Sequence, residues 1–117
     1  MQNFVYLIGD PATKEAAVVD PGWEVPRILE TLKQDGYRLT RALVTHAHFD
    51  HVMGLGELLK VVDVPVHIHH TEASALSIAP SSVKPVDHGQ IIQVGGVPVT
   101  LIHTPGHTPG SVCLLVN

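Results

Sequence analysis

The sequence predicts an α/β fold in which helices cover one face of a sheet. Three observations carry this reading. The element order along the chain reads ββαβαβαβββ, which mixes hairpins with crossovers. Val25, Ile28, Leu29 and Leu32 recur at helical spacing. A Gly95-Gly96 pair stands between two apolar runs, as at the turn of a hairpin. With 117 residues the chain is one domain, large enough for a real core. Its 44% hydrophobic and 15% charged residues argue against disorder and point to apolar surface covered from outside the chain.

The elements follow in order. Asn3 to Ile8 reads as a strand, Gly9 to Lys14 as a hairpin loop, and Glu15 to Val19 as the returning strand. Asp20-Pro21-Gly22 makes a turn. Pro26 suits the first turn of a helix, and Gly36 is its natural stop. Arg41 to Val44 is a short strand, and Leu55 to Lys60 is helical with Leu55, Leu58 and Leu59 on one face. Pro65 to Ile68 is the next strand, and Thr71 can cap a short helix through Leu76. Ala79 to Val86 is a Pro/Ser-rich loop. Gln90 to Val94 and Val97 to His103 form the second hairpin, and Ser111 to Val116 is the last strand.

The chemistry gathers behind the Arg41 strand, in Thr45-His46-Ala47-His48-Phe49-Asp50-His51. In an extended backbone, residues two apart point to the same side, so His46 and His48 converge on one point. Asp50 and His51 follow where the chain leaves the strand and face a second point nearby. Imidazole nitrogen and carboxylate oxygen are the ligands zinc accepts when no thiolate is offered. The plain alternative is a solvated His-rich loop. Four ligand-type side chains in this order favour a metal.

His-x-His-x-Asp-His after a short strand resembles the signature of the metallo-β-lactamase-fold hydrolases. Thr104-Pro105-Gly106-His107-Thr108-Pro109-Gly110-Ser111 resembles the loop that brings that family's third site-one histidine. The opening 3–8 with Glu15 to Gly22 is similar to the start of the glyoxalase II-like (hydroxyacylglutathione hydrolase-like) branch. The resemblance runs over essentially the whole sequence. It implies a metallo-β-lactamase-like αββα sandwich, of which residues 1–117 form a single, N-terminal β-α half domain, open to completion by a second chain.

The resemblance also implies roles. His46, His48 and His107 would hold one metal, and Asp50 and His51 would contribute to a second. The cofactor expected is zinc, one or two ions, with iron or manganese as alternatives. Zinc would act as a Lewis acid and lower the pKa of its water to roughly 7. The resulting metal-bound hydroxide would cleave a thioester or related ester, with Asp50 as the catalytic, proton-handling carboxylate. The family's bridging aspartate and last site-two histidine have no counterpart before Asn117, which puts the second metal in question. Two alternatives follow: a non-catalytic metal-binding half-domain that assembles as a homodimer, and a persulfide dioxygenase-like iron protein.

Nine histidines are many for this length. His67 is expected as a strand residue with a hydrogen-bonded ring, His88 as solvent-facing, and His103 as a support for His107. His69 and His70 sit at a strand end, where an adventitious metal site is the minor reading. Gly54 would allow close helix approach behind the cluster. Asp20 either supports the metal loops from below or merely caps its turn.

The formal charge of −4, the lack of a Lys/Arg cluster and 4% aromatics argue against nucleic acid and anionic membrane as partners. The expected partner is a small-molecule thioester or ester substrate. A sheet face left apolar adds a homodimer or domain-swapped assembly. Cys113, the single cysteine, excludes an internal disulfide. With no signal peptide or membrane-length apolar segment, the expected compartment is the cytoplasm.

Overall fold

The computed structural model describes residues 6–21, 25–45, 54–76, 78, 80–103 and 112–116. The strands are β1 (Tyr6–Asp10), β2 (Glu15–Val19), β3 (Arg38–Leu43), β4 (Val66–His69), β5 (Val83–Val86), β6 (Ile91–Val94), β7 (Val97–His103) and β8 (Val112–Val116). Two α-helices, α1 (Val25–Gln34) and α2 (Leu55–Val61), and two short 3-10 turns, at His70–Ala75 and Pro80–Ser82, complete the described elements. The strands form two sheets, β1-β2-β3-β4-β5 and β6-β7-β8. In the first, β1 runs antiparallel to β2, and β2 through β5 are mutually parallel. The second is antiparallel throughout.

The run Ala16-Ala17-Val18-Val19 explains the layering. All four side chains are buried, because β2 is covered on both faces. Ala16 and Val18, with Ala42 and Val44, pack against Val25, Ile28 and Leu32 of α1 and Leu55 and Leu58 of α2. Ala17 and Val19, with Leu43, pack against Ile92, Val94, Val99 and Leu101 of the second sheet. Each fully buried Val or Leu contributes about 1.5–3 kcal/mol. The helices therefore cover one face of the first sheet, as expected. The hairpin and last strand do not extend that sheet; they fold over its other face.

Local chemistry sets the boundaries. Helix α1 stops at Gly36, whose φ of +76° is left-handed. There Gly36 N–H donates to the Lys33 carbonyl at 3.2 Å and Tyr37 N–H to that of Leu32 at 2.8 Å, satisfying the last carbonyls. Strand β5 occupies part of the expected loop 79–86. Pro85 argues against a strand there, but β5 is at the edge of its sheet, where the lost N–H donor costs nothing. Strand β3 begins earlier than expected, at Arg38, because its pairing with β2 jumps from Ala16↔Leu39 to Ala17↔Arg41. Thr40 is the extra residue of this bulge, and it breaks the alternation that marks a strand in sequence.

One end of the sandwich is tied by Asp10. Its buried carboxylate accepts from Gly96 N–H at 2.7 Å, Ala12 N–H at 2.9 Å and the Thr13 hydroxyl at 3.2 Å. The Gly96 bond, then the Ala12 bond, hold this carboxyl below the usual carboxylate range. Gly95, with φ of +60°, turns tightly against it. The tip of the β6–β7 hairpin is thus held at the β1–β2 hairpin. From that tip β7 runs toward the opposite end, where β2 and β3 also finish. Both expected ligand stretches, 46–51 and 104–111, follow strands that end at this shared rim.

Candidate metal centre

Asp20 organises the rim. It follows β2 and adopts φ of +51°, a left-handed conformation that aspartate tolerates better than most residues. Its own N–H donates to the Leu43 carbonyl at 2.8 Å. The buried carboxylate then reaches across to the exit of β3. Oδ1 accepts from Thr45 N–H at 2.7 Å and Oδ2 from the Thr45 hydroxyl at 2.6 Å. Thr45 immediately precedes His46, so the backbone entering the histidine cluster is clamped at both of its donor atoms. Asp20 thus does more than cap its own turn: its carboxylate holds Thr45, at the exit of β3.

Gly54, just before α2, lies against the residue that follows Asp20. A Cβ there would collide with the Pro21 carbonyl oxygen and crowd Val25, so the chain entering α2 lies directly on the turn after Asp20. Close approach of the helix behind the cluster was the expectation for this glycine.

His46, His48, Asp50, His51 and His107 lie outside the described residues, so no distance among them is stated. His103 closes β7 opposite Val112, and its side chain is likewise outside the described set. Among the described residues, no group of three or more His, Cys, Asp or Glu side chains could hold a metal. His88 is exposed, as expected. His69 is buried and its Nδ1 accepts from Thr71 N–H at 3.3 Å, with the Thr71 hydroxyl at 2.9 Å. His69, rather than Thr71, therefore caps the turn that follows. Its ring lies against that of His70 at 4.3 Å, and His70 Nε2 is 3.2 Å from Asp87 Oδ1.

His67 does have a hydrogen-bonded ring, with an unexpected partner. Nε2 is 3.0 Å from Arg41 Nη1. Arginine only donates, so this nitrogen accepts and the proton of the neutral ring resides on Nδ1. Nδ1 is buried with no hydrogen-bond partner among the described residues. Burial first, then the charges of Arg41 and Lys84, push the His67 pKa from its ordinary 6.5 down to about 4. Between those values the unfolded chain binds a proton that the folded chain does not. Stability therefore falls as pH drops from about 6.5 toward 4, and the neutral-ring advantage is complete above that window. Urea midpoints at pH 7.5, 5.5 and 4.5 should show a loss of about 1–2 kcal/mol after solvent screening. His67→Gln should flatten that part of the profile, and an unchanged profile would refute the assignment.

Arg41 was not singled out from the sequence as more than a strand start. Asp10 was read only as part of a hairpin loop. Nothing local marks Arg41, whose partners His67 and Gln93 are distant in the chain, and the local bonds of Asp10 to Ala12 and Thr13 do not announce its bond to Gly96 on the other sheet.

Comparison with known proteins adds a family. The model of the Metallo-beta-lactamase superfamily matches residues 1–117. A hydroxyacylglutathione hydrolase of Rhodopseudomonas palustris is 41% identical over 106 residues, covering 91% of this chain and 40% of that protein. A probable polyketide biosynthesis zinc-dependent hydrolase of Bacillus velezensis is 31% identical, covering 98% of this chain and 51% of that protein. The crystal structure of ETHE1 from Myxococcus xanthus superposes with a TM-score of 0.83 at 34% identity, over 96% of this chain and 48% of that one. The chain spans about half the length of the curated relatives it matches.

Proposed function

Because this chain belongs to the metallo-beta-lactamase superfamily, we propose that it is a metal-dependent hydrolase, cleaving a thioester or related ester. The observation that carries this reading is the Asp20–Thr45 clamp, at 2.6 and 2.7 Å, on the residue that leads into His46-x-His48-x-Asp50-His51. A clamp of this kind has a purpose where the following side chains must be held in register. The second support is that β3 and β7, which lead to His46 and His107, end at one rim.

The donor set suits a borderline dication: three imidazoles, His46, His48 and His107, with Asp50 and His51 for a second ion. Zinc is the first choice, in keeping with the name of the Bacillus velezensis relative. When bound, the ion would supply Lewis-acid polarisation and a water that ionises near neutral pH. Asp50 would accept and pass on the proton of the attacking water, and Asp20 would hold the loop from beneath. The cytoplasmic setting and the half-domain organisation belong to the same proposal.

The test is metal analysis together with hydrolysis of a glutathione thioester. Bound zinc with turnover above that of the free ion supports a hydrolase. Bound metal without turnover returns the non-catalytic half-domain, and bound iron with oxygen uptake returns the dioxygenase-like alternative.

Assembly is the second part of the proposal. Strand β8 forms an edge of its sheet among the described residues and carries no charged side chain. Leu115 and Val116 on it, and Ile91 on β6, are about half exposed. Natural edges are usually guarded by charge, proline or a bulge, so this one fits a covered surface. Light scattering at micromolar concentration should return twice the 12.6 kDa chain mass, and a monomer would refute the homodimer.

A further inference from the structure

The two stretches expected to hold the first metal ion belong to different sheets. His46 and His48 follow β3 of the first sheet, and His107 follows β7 of the second. Their relative placement therefore depends on how one sheet is set upon the other. Apolar packing between Leu43, Val99 and Leu101 brings the sheets together, but it is tolerant of small sliding. Directional polar contacts resist sliding.

Arg41 makes such a contact. Its Nε donates to the Gln93 carbonyl of β6 at 2.7 Å, crossing from the first sheet to the second. Its Nη1 donates to His67 Nε2 of β4 at 3.0 Å, which anchors the guanidinium sideways on its own sheet. The rigid fork of arginine serves both acceptors at once. The bulge at Thr40 makes this possible. Leu39, before it, packs among the helices, whereas Leu43, two residues past Arg41, packs against the second sheet. Bulges re-aim side chains in this manner. Opposite Arg41 in the ladder stands Ala17, fully buried and small enough to leave room for the side chain.

We propose that Arg41 is a positioning residue of the metal centre: it fixes the strand that leads to His46 and His48 against the sheet that leads to His107, with His67 as its second anchor. The inference rests on the metal-centre reading above and goes beyond it, since Arg41 is not among the proposed ligands and acts through Gln93 and His67. A residue that merely stabilised the fold would lower the unfolding midpoint and leave the metal environment of the folded protein unchanged. A strut between the ligand-bearing sheets alters that environment.

The experiment loads the full chain with cobalt(II) and reads affinity by chelator competition and geometry by the visible ligand-field bands. Arg41→Met keeps the apolar stem and removes both donors. It should bind cobalt about tenfold more weakly, the lower end of what loss of an outer supporting group costs a metal centre, with shifted bands and an intact circular-dichroism spectrum. Arg27→Met, on the exposed face of α1, should match the wild type. Should Arg41→Met fail to fold, Arg41→Lys takes its place. Lysine is a point donor that does not span both acceptors, and it should shift affinity and bands in the same direction. Wild-type affinity and bands in the folded Arg41 variant overturn the strut while leaving the metal reading intact. No cobalt binding by the wild type removes the metal reading, and this inference with it.

Discussion

His46→Ala is expected to strip the protein of its tightly held metal and to reduce thioester hydrolysis by at least about a hundredfold. Removing one imidazole from a three-histidine set leaves two protein ligands, too few for the closed side of a tetrahedral site. Activity that depends on an activated water then falls toward that of the free ion. The fold should survive, since Ala16, Val18, Leu43 and their buried neighbours, which pack the two faces of the first sheet, are untouched by the substitution. His88→Ala, at an exposed turn, is the matched control and should change neither metal content nor rate. Metal content by mass spectrometry and initial rates on a glutathione thioester check both variants. Undiminished activity in His46→Ala would refute the assignment of this cluster.

The second large effect is expected at Asp20. Asp20→Ala removes the acceptors of Thr45 N–H and the Thr45 hydroxyl together and leaves the former without its partner in a half-buried place. Alanine must also adopt the left-handed conformation at φ +51°, which costs about 1–2 kcal/mol for a residue with a Cβ and no compensating side-chain bond. Together these should lower stability by about 3–4 kcal/mol in urea unfolding. Metal affinity should drop as well, because the backbone entering His46 is no longer held. Asp20→Asn keeps one carbonyl acceptor and a residue type that tolerates positive φ. It should recover roughly half of the loss. Equal stability in Asp20→Ala and wild type would show that the clamp is incidental.

Much of the fold is legible in single residues. Gly36 ends α1 through a left-handed C-terminus, the Gly95-Gly96 pair closes a two-residue hairpin, and the span of β2 is where the alternation of turn residues and aliphatics puts it. Strand β5 was hidden by Pro85, since a proline reads the same at a sheet edge as in a loop. The start of β3 was hidden by the bulge at Thr40, which erases the period that a strand shows.

For the candidate site the division is similar. Ligand-type residues closely spaced in the chain, such as His46, His48, Asp50 and His51, suggest a metal from the sequence because their spacing is local, and the centre built on them is a proposal. By itself the sequence determined the mixed α/β character and the glycines on which the turns depend, and it supplied the donor set that is proposed here. Only the tertiary structure decided that the last three strands fold over the first sheet, that Asp20 grips Thr45, and that Arg41 joins β3 to β6 with His67 beside it. The physical reason is range: hydrogen bonds within a turn are set by neighbouring residue types. A bond between residues twenty-five or fifty-two positions apart exists only once apolar burial has stacked the layers.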